Sequence, residues 1–278
     1  MEYSYAHPTG AKKAAAPPLV FVHGTFHGSW CFAEKWLAWF AGQGYDSYAV
    51  SLRGTAASPL PEPRKVCVDE HVEDLHAFLS SELGESPAVL IGHSFGGAYV
   101  QKVLEAGTCS VSGAILLCSV PPSGNSRTVS RILWRSPLAA ARITRAFVFK
   151  TAASSVKDAS ALFFSDDLPE DAVRGYMERF AEDCTCGLDV LDFNKKLPNL
   201  LADESGRRAN WLERRPPMLV VGAERDAVVD VEAVEETATF FDAERATLAG
   251  MAHDVMLVPE WERAARTLCD WLDQQPWA

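Results

Sequence analysis

The chain has 278 residues, of which 48% are hydrophobic and 23% are charged, and its formal net charge is −11 at pH 7. This is an ordinary globular composition with enough apolar residues for a sizeable core. Nucleic-acid binding needs a basic surface that contacts phosphates, and the net negative charge argues against it. No run approaches about 20 apolar residues, and the N-terminus has no hydrophobic signal core, so we expect a soluble, intracellular protein of the cytoplasm or an organelle matrix.

Strand-like apolar runs alternate with helical segments along most of the chain. The predicted strands are residues 18–24, 46–52, 88–94, 113–122, 216–226 and 243–254, and the predicted helices are residues 30–44, 67–84, 95–107 and 260–275. This alternation predicts an α/β fold whose central sheet is mostly parallel and flanked by helices. Residues 1–16 are interpreted as a loose lead-in.

The alternation breaks between residues 125 and 215, where helical segments follow one another without clear strands. A helical block inserted between two core strands lies over the carboxyl edge of the sheet, where open α/β sheets bind ligands. We therefore predict a helical cap, or lid, at residues 125–215. The core that carries it is predicted to consist of residues 17–124 and 216–278.

A serine surrounded by glycines marks the end of the third predicted strand. The stretch Gly92-His93-Ser94-Phe95-Gly96 fits the pattern G-x-S-x-G and opens a predicted helix. At such a strand-to-helix turn the nucleophile has a strained backbone, and neighbouring side chains would collide without glycine. The pattern predicts a nucleophile elbow with Ser94 as the nucleophile.

A serine hydroxyl needs a base to take its proton. In this type of fold the catalytic residues follow the chain order serine, acid, histidine. Of the seven histidines only His253 lies after Ser94, in a loop-like stretch between a strand and the last helix. His253 is therefore the predicted general base.

The acid of the triad is limited by the same chain order. No Asp or Glu lies within residues 106–157, so an acid directly after the fourth strand is excluded. Glu224, Asp226 and Asp230 follow the fifth strand, and Asp226 is favoured because it lies just past the strand end. It would accept the Nδ1–H of His253 and stabilise the imidazolium.

Acyl transfer also needs donors for the oxyanion. One predicted donor is the backbone N–H of Phe95, which follows the nucleophile. The other comes from the loop after the first strand, where the Thr25 N–H is favoured and the Phe26 N–H is the alternative. His23, in the same loop, is interpreted as a structural hydrogen-bonding residue.

These motifs together resemble the α/β-hydrolase superfamily, with "FVHG", "GHSFGG", "GAERD" and "GMAHD" in order along the chain. The loop "VHGTFHGSWCF" resembles that of the plant methylesterase and hydroxynitrile lyase branch. The resemblance implies an esterase-like serine hydrolase. Gly24 and Asp254 stand where the lyases that share this arrangement carry a threonine and a lysine. Loss of the lysine removes the charge that would stabilise departing cyanide, which favours ester cleavage.

The predicted substrate is a small-to-medium hydrophobic carboxylic ester, thioester or lactone, cleaved through an acyl-enzyme without a metal or organic cofactor. Apolar and aromatic side chains are expected to line its pocket, namely Phe26, His27, Trp30, Trp134 and Phe163. Two alternatives stay open. One is a cofactor-free lyase, isomerase or oxygenase that uses His253 as base, and the other is a catalytically silent ligand receptor.

The first part of the predicted cap is basic, although the whole chain is acidic. Residues 127–157 contain seven Lys and Arg and no acidic residue, interleaved with apolar side chains. A basic amphipathic helix of this kind can dock on a membrane surface, and it can equally be a solvated face above a buried stripe. Peripheral membrane contact through this helix and a solvated cap face both stay open as interpretations.

Overall fold

The computed structural model describes residues 1–9, 13, 15–164, 168–184, 186–202 and 205–277. Parts of the predicted lead-in and of the predicted cap therefore lie outside the described residues. The described strands are β1 (Tyr3–Ala6), β2 (Leu19–Val22), β3 (Ser47–Val50), β4 (Lys65–Val66), β5 (Ala88–His93), β6 (Val111–Leu117), β7 (Gly187–Leu188), β8 (Met218–Ala223) and β9 (Glu244–Leu248).

Seven of these strands form one sheet in the order β1-β3-β2-β5-β6-β8-β9, and β4 pairs with β7 in a separate two-stranded ladder. Every neighbouring pair of the large sheet is parallel except β1 with β3. Strands β2, β5 and β8 are buried along their whole length. Apolar runs without alternation suit interior parallel strands that are covered on both faces. The predicted fold class is confirmed.

Helices flank the sheet and fill the connection between β6 and β8. Their bounds are α1 (Trp30–Ala33), α2 (Trp36–Gly42), α3 (Val68–Phe78), α4 (Phe95–Ala106), α5 (Ser126–Arg135), α6 (Pro137–Val148), α7 (Val156–Phe163), α8 (Glu170–Asp183), α9 (Val190–Lys196), α10 (Asn210–Glu213), α11 (Val231–Phe241) and α12 (Trp261–Leu272). A π-helical turn, Leu79–Leu83, continues α3, and a 3₁₀ turn, Thr151–Ala153, follows α6. A bilayer-crossing helix is absent from the described part of the chain, since every helix there is too short or too polar for one.

The N-terminal residues differ from the loose lead-in that the sequence indicated. Residues 3–6 form the edge strand β1, and Tyr5 pairs with Tyr48 in an antiparallel register. Tyr3 and Tyr5 alternate with small residues, and both rings pack on Tyr48, with centroids 6.1 and 6.3 Å away. Aromatic side chains on one face of an edge strand stabilise it through such cross-strand contacts.

The predicted helix at residues 30–44 is interrupted. Lys35 leaves the helical region with φ −136° and ψ −48°, and this residue separates α1 from α2. The break lets both short helices bury aromatic side chains in the core, including Phe32 and Trp36, which contact Phe21 of β2. Core packing outweighs continuous helical periodicity here.

All parallel strands end at the same edge of the sheet, and the loops that follow β2, β5, β8 and β9 converge there. In the register, Phe21 of β2 lies opposite Ile91 of β5, which in turn lies opposite Ile115 of β6. The predicted nucleophile follows β5, and the predicted acid and base follow β8 and β9. The topology therefore brings residues far apart in the chain to one edge.

Candidate active site

Ser94 occupies a strained turn between β5 and α4. Its φ is +55° and its ψ is −120°, outside the regions that side-chain-bearing residues favour. A Cβ on Gly92 would lie 2.5 Å from the Gly97 Cα, and a Cβ on Gly96 would collide with the backbone of Val22 and His23. The glycines are thus required by close backbone approach, which is the steric reason that the sequence pattern indicated.

His253 and Asp226 form a buried hydrogen-bonded pair. The His253 Nδ1 lies 2.7 Å from the Asp226 Oδ2, and both side chains are 1% exposed. The other carboxylate oxygen of Asp226 accepts the backbone N–H groups of Val228, at 2.7 Å, and Val229, at 2.9 Å. These bonds fix the carboxylate, so the imidazole presents Nε2 away from it.

The pKa of His253 is raised above its ordinary value, although burial acts in the opposite direction. Burial disfavours the imidazolium, but the charge of Asp226, its hydrogen bond to the ring and the charge of Asp254 together outweigh that effect. The site therefore stabilises the protonated ring that forms when a base takes a proton.

His93, the residue before Ser94, connects the turn at Ser94 to the loop between β9 and α12 that carries His253, here called the histidine loop. Its Nε2–H donates to the backbone carbonyl of His253 at 3.0 Å. Burial, followed by the neighbouring His253 and His27, lowers the pKa of His93 well below its ordinary value. A neutral His93 thus acts as a structural link between Ser94 and His253.

The loop after β2 is held by His23. Its Nδ1–H donates to the Gly24 carbonyl at 2.7 Å, and its Nε2 accepts the Leu52 N–H at 3.0 Å. Burial lowers the pKa of His23 to about 4, so the ring is neutral and can donate through Nδ1 while it accepts through Nε2. These contacts are of the structural kind that the sequence interpretation gave to His23. Phe26, in the same loop, has φ +70°, a costly conformation for a bulky residue.

A family model described as the alpha/beta hydrolase family matches residues 19–267. The chain belongs to the α/β hydrolase family. The match spans all strands of the large sheet except β1, and it includes the three residues of the predicted triad.

Among curated proteins, this α/β hydrolase is similar to plant esterases. It is 32% identical over 112 residues to a pFDCC methylesterase of Arabidopsis thaliana, which covers 40% of this chain and 42% of that protein. It is 30% identical over 117 residues to a pheophorbidase of Raphanus sativus, covering 41% and 44% respectively. The chain thus spans less than half the length of these relatives.

Among solved structures, an esterase from Exiguobacterium antarcticum has the same fold. The TM-score is 0.72 at 18% identity, and the superposition covers 98% of this chain and 95% of that one. At this identity the likeness concerns the fold alone.

Aromatic side chains gather around the histidine loop of the hydrolase. Phe163, at the end of α7, stacks on His253 with ring centroids 6.2 Å apart and contacts Phe26 at 5.6 Å. His27 contacts Phe180 at 4.9 Å and stacks on Trp30 at 5.6 Å. Four of the five predicted pocket residues therefore lie in one aromatic cluster, defined here as Phe26, His27, Trp30, Phe163 and Phe180.

Trp134 does not belong to this cluster, and its predicted place in the substrate pocket stays a prediction. Its side chain is 91% exposed on α5. Thr128 is the buried residue of α5 and marks the face that packs inward. At about 100° per residue, Trp134 lies roughly 120° around the helix from Thr128 and faces outward.

The other candidate acids have other partners. The Glu224 carboxylate accepts the Gly250 N–H at 2.6 Å and is exposed. Asp230 caps α11 through the Ala233 N–H, and the Arg131 guanidinium binds both of its oxygens at 2.6 Å. Of the three, Asp226 is the carboxylate that hydrogen-bonds His253.

Two groups of ligand-capable atoms within 4.8 Å occur in the described residues, His93 with His253 and Asp254, and Cys118 with Asp226 and His253. Both contain His253, whose Nδ1 already bonds Asp226. Burial and the adjacent Asp226, which accepts the Cys118 S–H, raise the pKa of that thiol well above its ordinary value. The second group is thus a protonated thiol supporting the carboxylate, and we assign no metal to either.

The basic helix α5 is largely engaged with carboxylates of α11. Arginines one turn apart pair with acidic side chains across the interface, so much of the local positive charge is neutralised. The pairs are Arg127–Glu236, Arg131–Asp230 and Arg135–Glu232. Membrane contact through this helix stays a prediction.

Sequence reasoning missed the role of Asp254. Its carboxylate lies 2.9 Å from His27 Nε2, although 227 residues separate the two. The available signal was the position of Asp254 directly after His253. Nothing in the sequence joins this position to His27.

Proposed function

We propose that this α/β hydrolase cleaves carboxylic esters through an acyl-enzyme formed on Ser94. The observation that carries the proposal is the buried 2.7 Å hydrogen bond between His253 and Asp226, at the sheet edge where Ser94 occupies its strained turn. A serine, a histidine and a carboxylate in this order suit nucleophilic acyl transfer.

In acylation, the Ser94 Oγ attacks the acyl carbonyl carbon while His253 Nε2 takes the hydroxyl proton. The carbonyl π electrons move to oxygen, and the oxyanion accepts hydrogen bonds from the N–H groups of Thr25 and Phe95. Collapse breaks the bond to the leaving alkoxide, which takes the proton from His253 and departs as an alcohol. Asp226 stabilises the transient imidazolium.

In deacylation, water replaces the alcohol. His253 takes a proton from the water as it attacks the acyl carbon, and the second oxyanion binds to the same two N–H groups. Collapse breaks the ester bond to Ser94, whose oxygen recovers its proton from His253. The carboxylic acid leaves and the enzyme is restored.

The surroundings of the site support a hydrophobic substrate. The aromatic cluster offers an apolar environment beside His253. The names of the relatives, a methylesterase and a pheophorbidase, support esters as the substrate class, and thioesters and lactones share the same carbonyl chemistry.

The test is turnover of p-nitrophenyl esters of graded chain length by wild type and by Ser94→Ala. We expect kcat/KM to fall at least about 10³-fold, because the nucleophile is lost while binding and the oxyanion donors persist. Ser130→Ala, which changes an exposed serine of α5, is the matched control and should keep full activity.

Intact-mass analysis of wild type should show a fluorophosphonate adduct after treatment with that reagent and an acyl adduct with an ester substrate. Ser94→Ala should show neither adduct. Ester turnover that survives in Ser94→Ala would overturn the acyl-enzyme. Turnover of a carbon acid that depends on His253 and not on Ser94 would favour the lyase or isomerase alternative.

A further inference from the structure

His27 and Asp254 form a second buried imidazole–carboxylate pair beside the triad. The Nε2 of His27 lies 2.9 Å from the Asp254 Oδ2, and the two side chains are 1% and 0% exposed. Burying such a pair is costly unless its geometry is good and its other polar atoms are satisfied. The mechanism above uses neither residue, so the pair calls for a separate explanation.

The other ring nitrogen of His27 holds the backbone of the loop after β2, which contains Gly24, Thr25 and Phe26 and is here called the oxyanion loop. The Nδ1 lies 2.7 Å from the Thr25 carbonyl oxygen, which can only accept, so Nδ1 carries a proton and donates it. The neighbouring carboxylate keeps the ring in this orientation through Nε2. The pair thus works as one unit, in which Asp254 orients His27 and His27 binds Thr25.

Two successive peptide planes of the loop are held by imidazoles. His23 binds the Gly24 carbonyl at 2.7 Å, and His27 binds the Thr25 carbonyl at 2.7 Å. In a trans peptide the N–H points opposite to the C=O, so fixing a carbonyl also fixes the direction of the next residue's N–H. The first plane carries the Thr25 N–H and the second carries the Phe26 N–H. Thr25 is therefore restrained on both sides.

The second plane needs such a restraint, because Phe26 has φ +70°. A bulky residue in this conformation is strained and persists only where its surroundings hold it. If the hydrogen bond to the Thr25 carbonyl is lost, the peptide between Thr25 and Phe26 can rotate to relieve this strain. Thr25 is then restrained on one side, by the bond from His23 to the Gly24 carbonyl, and its N–H, the proposed oxyanion donor, loses alignment.

Asp254 ties the loop to the rest of the site. It follows His253 directly, and its backbone N–H donates to the Phe163 carbonyl at 3.0 Å, which joins the histidine loop to the end of α7. Its Oδ1 is buried without a hydrogen-bond partner among the described residues and lies 3.8 Å from His93 Nε2. The Asp254 carboxylate thus contacts His27 of the oxyanion loop, while the Asp254 backbone belongs to the histidine loop.

We propose that His27 and Asp254 are positioning residues that couple the oxyanion loop to the histidine loop by fixing the peptide between Thr25 and Phe26. This inference rests on the proposed ester hydrolysis, in which that loop stabilises the oxyanion. Neither side chain is assigned a proton-transfer step. Their contribution is to keep the donors aligned when the tetrahedral intermediate forms.

The test compares His27→Gln, Asp254→Asn and the double variant with wild type on one p-nitrophenyl ester. The Gln amide occupies the place of Nε2 and can still bind Asp254, but it cannot reach the Thr25 carbonyl. We expect kcat to fall about tenfold or more with KM changed less than about twofold, because a misaligned donor affects the transition state and not ground-state binding.

In Asp254→Asn the amide can still hydrogen-bond His27 Nε2, and His27 still donates to the Thr25 carbonyl through Nδ1, so kcat should fall only about threefold. The double variant should be no worse than His27→Gln, since the two residues act in one chain. His71→Gln, which changes a buried histidine packed on Tyr99, is the matched control. Whatever its effect on Tm, it should leave the kcat of the folded enzyme unchanged.

A trifluoromethyl ketone, whose adduct with Ser94 carries an oxyanion, separates positioning from general structural damage. We expect its affinity to fall in His27→Gln by the same factor as kcat/KM. An unchanged kcat in folded His27→Gln, or a lowered kcat with unchanged ketone affinity, would overturn the inference. If wild type shows no Ser94-dependent turnover, the proposed function fails first. The inference is then decided by a crystal structure of His27→Gln, where an unmoved Thr25 carbonyl would overturn it.

Discussion

The proposed catalytic edge of the sheet, where Ser94, Asp226 and His253 lie, and the corner between α5 and α6 are built on opposite principles. At the edge, the side chains of Asp226 and His253 are buried and hydrogen-bonded, and glycines allow backbones to touch around Ser94. At the corner, Trp134 and Leu138 extend into solvent, the latter 73% exposed. The edge is restrained by buried hydrogen bonds and close backbone contacts. The corner is held through the arginines of α5 that pair with carboxylates of α11 and its N-cap.

The difference predicts which of the two regions serves the proposed catalysis. Groups that are buried and fully bonded cannot shift without losing several interactions together, so they suit chemistry that needs alignment within fractions of an ångström. Exposed apolar side chains contribute little to folding and are free to meet another surface. Substitutions should therefore have large effects on catalysis at the edge and small ones at the corner.

The largest effect should come from Asp226→Asn, which removes the acceptor for His253 Nδ1. Because the wrong tautomer is then favoured, kcat should fall about 10³-fold or more with little change in KM. Steady-state kinetics on a p-nitrophenyl ester measure this. Glu224→Gln is the matched control, since its carboxylate binds only the Gly250 N–H in the described contacts. Comparable losses in both variants would remove Asp226 from the triad.

An intermediate effect should appear in the pH dependence of kcat/KM. His253 must be neutral to act as base, and its pKa is raised above 6.5. Activity should therefore rise about tenfold per pH unit on the acid side and level off above a midpoint higher than 6.5. Asp254 contributes to the raised pKa, so Asp254→Asn should move the midpoint to lower pH.

Asp69→Asn, which changes an exposed carboxylate paired with Lys196, is the control for this shift and should leave the midpoint unchanged. A wild-type midpoint at or below 6.5 would contradict the electrostatic account of His253.

The smallest effect should come from Trp134→Ser and Leu138→Ser. Both side chains are exposed, so Tm and turnover of a soluble ester should stay near wild-type values. If the predicted membrane contact exists, both variants should sediment less with phosphatidylserine vesicles than wild type does. Leu200→Ser changes an exposed apolar residue elsewhere and serves as the control. Equal sedimentation of all four proteins would reject the membrane prediction, and lost ester turnover in Trp134→Ser would support the predicted place of Trp134 in the pocket.

The strained turn at Ser94 and the pairing of His253 with Asp226 could be predicted from sequence, because each position has few alternatives. Ser94 is marked by glycines that close packing demands, and His253 is the sole histidine after it in the chain. Asp226 follows from its place at the end of β8. Each of these inferences needed only local pattern and chain order, which a parallel α/β topology converts into spatial proximity.

Other features depend on contacts that a sequence does not encode locally. The pairing of β1 with β3 joins residues more than 40 positions apart through two tyrosines. The bond between His27 and Asp254 requires the actual approach of two loops. The outward direction of Trp134 depends on which face of α5 packs inward, and helical spacing alone does not settle the face.

The pairing of β6 with β8 has a consequence for how the enzyme is assembled. Ala114 pairs with Met218, 218 − 114 = 104 positions later in the chain, and the residues between them include the whole helical insertion. Closing so long a segment delays this contact relative to more local ones. The proposed nucleophile, Ser94, belongs to the part before that segment, and the proposed acid and base, Asp226 and His253, belong to the part after it. Recovered turnover during renaturation should therefore mark the final joining of the two halves and lag behind the return of helical signal.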